Sequence, residues 1–166
     1  TRITGTDELI LIGSEKSKFS KEIFTASELT YIKRQIAAKE KTILINQYSR
    51  RIILSIIPEK EESHLALEAA RVSATRVHPR LRENKIAQVV IQHNENKPAE
   101  LLAFAEGLSL YNYQFLKYQT KAAEKEFPLK QVKLLCPALK PSQVKELNIL
   151  LAAMYKARDL VNEPVS

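Results

Sequence analysis

The chain has 166 residues, 45% of them hydrophobic and 27% charged, the balance of one soluble domain with a sizeable core rather than of a disordered or fibrous chain. Its single cysteine, Cys136, excludes an intramolecular disulfide and a paired-cysteine metal knuckle, and the isolated glycines Gly5, Gly13 and Gly107 exclude the glycine-rich turns that bring backbone amides against phosphate. The net charge of +7 favours an acidic partner only where it is clustered.

No apolar run approaches the roughly 18 residues of a membrane span, and Thr1-Arg2-Ile3-Thr4 opens no apolar signal core. A reducing, cytoplasmic setting is expected. Residues 8–13, a short apolar run closed by glycine, predict a buried strand. Thr25 and Glu28 then stand at capping-box spacing, flanked by Phe24 and Leu29 as a hydrophobic staple, so a helix begins there with Leu29, Ile32 and Ile36 on its apolar face. Residues 42–46 and 51–57 are β-branched runs whose connection, 47–50, is too short for a crossover helix; they predict an antiparallel hairpin.

Pro58 ends that hairpin, and the charged stretch 59–62 leads into a helix whose inner face reads Leu65, Ala69 and Val72. The densest basic run, Arg71, Arg76, His78, Arg80 and Arg82, falls on this helix. If those four arginines form one surface they are the candidate contact for an anionic partner such as nucleic acid; a solvated basic face is the simpler reading. His64, His78 and His93 lie 14 and 15 residues apart, which is not the spacing that sets two imidazoles on one helix face, so they are read as surface residues and not as ligands.

Residues 86–92 predict the fourth strand, and Pro98 suits the first position of the next helix. On that helix Phe104, Tyr111, Phe115 and Tyr118 follow at intervals of 7, 4 and 3 and are expected to share one stripe as an aromatic core seam. Gly107 within it costs about 1 kcal/mol against alanine, which close packing would explain. Residues 131–136 predict the fifth strand, with Cys136 as a small buried hydrophobe. The last helix, 142–162, spans roughly 30 Å. Its main stripe is Val144, Leu147, Leu150, Leu151, Met154 and Val161, while Ile149 and Leu160 project from the opposite side. A helix apolar on both sides needs cover on both, and the second cover is expected from a partner outside the chain. Arg158, within the main stripe, should reach solvent or pair with a carboxylate.

The order strand, helix, hairpin, helix, strand, helix, strand, helix predicts an α/β three-layer domain, a mixed and mostly parallel sheet with helices on both faces. Two segments carry a resemblance. Ala105-Glu106-Gly107-Leu108-Ser109-Leu110-Tyr111-Asn112-Tyr113-Gln114-Phe115, followed by Tyr118, resembles the aromatic helix of the N-terminal domain of the leucyl aminopeptidase (cytosol aminopeptidase) family. Ala157-Arg158-Asp159-Leu160-Val161-Asn162-Glu163-Pro164 is similar to the segment by which that family passes into its catalytic domain, and the element order over residues 7–164 fits as well.

The resemblance implies a macro-domain-like fold. It divides the chain into an α/β accessory domain, 1–140, and a linker helix with boundary segment, 141–166, in which Ile149, Arg158, Asp159, Leu160, Asn162 and Pro164 mark the approach to a catalytic domain. It further implies a hexameric parent in which two divalent metals, zinc or manganese, serve the catalytic domain and peptide substrate is met only there. The family signature Asn-Thr-Asp-Ala-Glu-Gly-Arg-Leu has no counterpart in these residues, so no catalytic, cofactor-binding or metal-binding residue is assigned and no peptidase activity is expected of the chain alone. Three readings follow: an accessory domain that assists assembly and access to the active site, a nucleic-acid-binding module, and a macro-type binder of a small ligand. The glycine deficit argues against the last, because macro domains hold ADP-ribose with glycine-rich loops.

Overall fold

The run Leu9–Gly13 (β1) is buried along its whole length and therefore needs a hydrogen-bonding neighbour on each side and cover on each face. A computed structural model, which describes residues 6–164, supplies both. Strands Thr42–Asn46 (β2), Arg51–Ile56 (β3), Gln88–His93 (β4) and Gln131–Leu135 (β5) complete a sheet in the order β2-β3-β1-β4-β5. Leu9 lies opposite Ile52 on one side and Val90 on the other, both parallel. The β4–β5 pair is also parallel, and the one antiparallel pair is the expected hairpin, running from Thr42 opposite Ser55 to Asn46 opposite Arg51.

Alternation along each strand divides the core in two. Leu9, Leu11, Ile43, Ile45, Ile52 and Leu54 face one side, where Ala26–Ala37 (α1) covers them with Ile32 and the preceding Phe24. Ile10, Ile12, Ile53, Val89 and Ile91 face the other, beneath Ser63–Glu83 (α2) and Pro98–Tyr111 (α3). A single turn, Ala122–Lys125 (α4), which the sequence pattern did not predict, precedes β5. The long helix Pro141–Asn162 (α5) packs against α3. The result is the three-layer α/β fold, with helices on both faces.

The start of α1 is built as its sequence predicts. Glu28 accepts from the Thr25 amide at 2.7 Å, and the Thr25 hydroxyl accepts from the Glu28 amide at 3.3 Å. The Gln47 side chain then donates to the Ile23 carbonyl and to Glu28, tying the hairpin turn to the helix cap.

Three expectations fail where a neighbour far along the chain decides. The inner face of α2 is Ala70, Ser73, Ala74, Val77, His78 and Leu81, while Leu65 and Val72 are exposed. Close approach selects this face, since a Cβ at Gly107 of α3 would stand 2.5 Å from the Arg71 carbonyl oxygen of α2. Two helices this near admit small residues between them, whatever the hydrophobicity of larger ones elsewhere on the helix. The close packing expected at Gly107 is therefore present.

The aromatic stripe breaks because α3 ends at Tyr111. Phe115 and Tyr118 follow in the connection, their rings 5.8 Å apart, and of the four aromatic residues only Phe104 lies in the core. Asn112 caps the helix: its amide donates to the Leu129 carbonyl at 3.0 Å and its carbonyl oxygen meets His78 Nε2 at 2.9 Å. The histidines also differ from the surface reading, since His78 and His93 are buried and only His64 is exposed. Each buried ring is held by a specific polar partner, which offsets its desolvation.

Candidate functional site

Of the apolar stripe on α5 only Leu151 is buried in the domain. Ile149 (62% exposed), Leu160 (67%) and Val161 (84%) stand in solvent together with Leu150 and Met154, so the helix presents apolar side chains on more than one side. What fixes α5 is polar. Tyr155 donates its hydroxyl to the Ser109 carbonyl at 2.5 Å, and Arg158 Nη1 donates to the Leu110 carbonyl at 2.8 Å. These are among the last carbonyls of α3, where a helix runs out of i+4 amides; the Ser109 carbonyl also accepts from the Asn112 amide at 3.1 Å. Because α3 carries no basic residue in its last turn, Arg158 brings from α5 the positive charge that a helix C-terminus favours.

Around Arg158 the segment is closely tied. Its guanidinium lies 5.3 Å from the centre of the Tyr113 ring, whose hydroxyl donates to Asp159 at 2.7 Å. Asn162 donates to the Arg158 carbonyl at 2.8 Å, and Glu163 accepts from Lys117 at 2.5 Å and from the Tyr118 hydroxyl. Desolvation, followed by the bond to Asp159, raises the Tyr113 pKa, and burial raises that of Tyr155; both phenols remain donors at neutral pH. Arg158, half-buried, thus finds a carbonyl and an aromatic face where a carboxylate or solvent was expected to serve it alone. The structure gathers Arg158, Asp159 and Asn162 into one network, with Leu160 and Pro164 exposed at its margin and Ile149 farther along the helix.

A second concavity lies at the carboxyl ends of the parallel strands. After β1 the chain turns toward α1 on one face, while after β3 and β4 it turns toward α2 and α3 on the other. Such a divergence leaves a crevice where α/β sheets commonly hold ligands. Here it has a volume of about 430 Å³ and is lined by Gly13, Ser14, Glu59, Glu61, His93, Glu95, Lys97 and Glu100 among others. Three of its four carboxylates are engaged. Glu59 accepts from Ser14 at 2.9 Å and from Lys16 at 2.5 Å, and Lys97 bridges Glu95 and Glu100 at 3.3 and 3.1 Å.

His93 Nδ1 accepts from the Glu95 amide at 3.1 Å, which leaves the proton on Nε2 to be donated to Glu100 at 3.2 Å. Burial outweighs the carboxylate and lowers its pKa, so the ring is neutral with both nitrogens engaged. It is a structural pivot, not a free base. With four carboxylates and two lysines in the lining, the crevice has neither the glycine turn nor the positive charge that a polyphosphate needs. The sequence reading missed His93; the available signal was its place at the end of a strand, immediately before the turn Asn94-Glu95-Asn96.

The four arginines of α2 do not form one surface. Arg71 pairs with Glu106 at 2.8 Å and Glu68 at 3.6 Å, Arg80 pairs with Glu83 at 3.2 Å, and Arg82 lies over Phe127 at 5.2 Å. In helical projection Arg76 and Arg80 point away from Arg71 and Arg82.

The architecture defines the chain as a three-layer α/β domain around a mixed five-stranded sheet. No family model and no curated protein matches the sequence. Among solved structures, a mutant of tomato leucine aminopeptidase shares the fold with a TM-score of 0.70 and 16% sequence identity over 96% of this chain. The chain spans 36% of the length of that tomato protein. Among the described residues, no helix is long and apolar enough to cross a membrane.

Proposed function

We propose that this chain is the non-catalytic N-terminal domain of a cytoplasmic, metal-dependent leucyl aminopeptidase, assisting assembly of its hexamer and access of peptides to its active site. The observation that carries this reading is the fold shared with about a third of the tomato enzyme. The exposed apolar residues of α5 and the network around Arg158 support it, because they fall on the helix and segment that resemble the family's domain boundary. Among the described residues no three His, Cys, Asp or Glu side chains converge closely enough to hold a metal ion. The residues present do not fit the two metals, and the reading assigns zinc or manganese to the catalytic domain, where metal would activate water and polarise the scissile carbonyl.

The test is made on the longer coding sequence, with and without residues 1–164. Light scattering should show the full enzyme as a hexamer and the truncated form as a smaller species that retains its metals. Its preference for long peptides over a leucyl amide should also change. Chelator-sensitive release of leucine by the 166-residue chain alone, or a truncated enzyme that assembles and selects peptides as before, would overturn the reading.

A further inference from the structure

On the face of the sheet opposite α2 and α3, the connection from β1 runs back alongside α1 and leaves a groove of about 580 Å³. Phe19, Leu29, Ile32 and Ile36 form its floor. The helical positions 29, 32, 33, 36 and 37 recur at intervals of three and four, so the groove follows one side of α1 for about two turns, roughly 12 Å.

The wall opposite the helix is held in place. Glu15 is gripped by Lys39 at 3.1 Å and Lys41 at 2.9 Å, Lys16 by Glu59, and the Ser17 hydroxyl donates to Glu95. The Lys18 carbonyl accepts from Asn94 at 3.2 Å, and the Phe19 ring meets Phe24 edge-on at 6.2 Å. An apolar groove with a wall fixed at so many points is preformed, as small-molecule sites usually are.

Its rim is cationic. Lys18, Lys21 and Lys33 line it and are exposed, with no ion pair among the described residues. The one carboxylate in the lining, Glu15, is already neutralised by two lysines from outside the groove. The charge complement is an anionic head, and the complement of the floor is an apolar body. A peptide strand laid over that floor would strip water from its own amides without replacement, since the backbone of α1 is paired within the helix. An alkyl chain carries no such groups.

We propose that this groove binds a medium-chain aliphatic carboxylate, with the chain lying along Leu29, Ile32 and Ile36 and the carboxylate among Lys18, Lys21 and Lys33. Calorimetric titration of the whole chain with decanoate below its micelle concentration tests this, beside decyltrimethylammonium, acetate and a peptide of alternating glutamate and leucine. Decanoate should bind at one per chain, at least about tenfold more tightly than the cationic amphiphile, with no signal from acetate. The exposed pair Lys18→Glu and Lys33→Glu should weaken it about tenfold without altering the circular dichroism, while Lys156→Glu on α5 should leave it unchanged. Equal binding of both amphiphiles, saturation above one per chain, or indifference to the lysine pair would overturn the proposal. So would binding of the peptide, or of phosphatidylglycerol vesicles, by a chain that does not bind decanoate.

Discussion

Replacing Arg158 with alanine removes a cation bound at the C-terminal end of α3. The side chain makes a charge-assisted hydrogen bond to the Leu110 carbonyl at 2.8 Å and covers the Tyr113 ring. Hydrogen bonds to charged groups contribute about 1.5–3 kcal/mol net, and a cation at a helix C-terminus about 0.3–1 kcal/mol. Because Arg158 is only half-buried, water can reach the vacated carbonyl and solvent screens the charge, which places the loss near the lower end, about 1.5 kcal/mol. For a domain of this size each kcal/mol shifts Tm by roughly 2–4 °C, so Arg158→Ala should unfold about 3–6 °C earlier by circular dichroism. Hydrogen exchange should accelerate first in the amides at the end of α3. Arg158→Lys keeps the charge and loses the planar fork, and should recover about half the loss. An unchanged Tm in the alanine variant would refute this account of how α5 is held, and full recovery by lysine would refute the role given to guanidinium geometry.

Gly107→Ala gains about 1 kcal/mol of helix propensity but drives a methyl group against the Arg71 backbone at 2.5 Å; a net loss of about 1–3 kcal/mol is expected in urea unfolding, and a stabilised variant would contradict the close approach of α2 and α3. Ser73→Ala removes a buried hydroxyl without a hydrogen-bond partner and should raise stability by about 1 kcal/mol, measured by the same titration. Burial holds His78 and His93 below the ordinary histidine range, whereas in the unfolded chain both titrate near pH 6.5. Below that pH the unfolded chain takes up protons that the native chain refuses. Stability is thus complete above about pH 6.5 and falls toward the lowered folded values, by at most about 1.4 kcal/mol per pH unit for each ring. Urea midpoints at pH 7.5, 6.5 and 5.5 should show this, and a variant with both histidines replaced by glutamine that kept the same slope would refute the assignment.

Much of the fold was legible because local chemistry and tertiary packing agree. The capping box at Thr25, the hairpin connection at 47–50 and Pro98 at a helix start each demand their structure within a few residues. The failures lie where a distant neighbour decides. Nothing near Val72 announces that α3 will come within contact of Arg71, so the stripe Leu65, Ala69 and Val72 suggested the wrong face. No glycine or proline stops α3 after Tyr111; Asn112 stops it through bonds to His78 and Leu129. At the candidate boundary the apolar residues of α5 were readable as a pattern. The bond of Arg158 was not, because its acceptor is a backbone carbonyl, which every residue carries.

The middle strand of the sheet is also the first one in the chain, and this has a cost in time. Leu9 cannot complete its pairing until Ile52 and then Val90 have been synthesised, so the most deeply buried strand stays unpartnered longest. The β2–β3 hairpin and the helices can form locally, but closure of the sheet must wait for contacts far apart in sequence, which makes folding slow. Until β4 arrives, one edge of an entirely apolar segment offers unpaired amides and carbonyls. At that stage the competing reaction is association with another unfinished chain, and the yield of folded protein should fall with the concentration at which refolding is attempted.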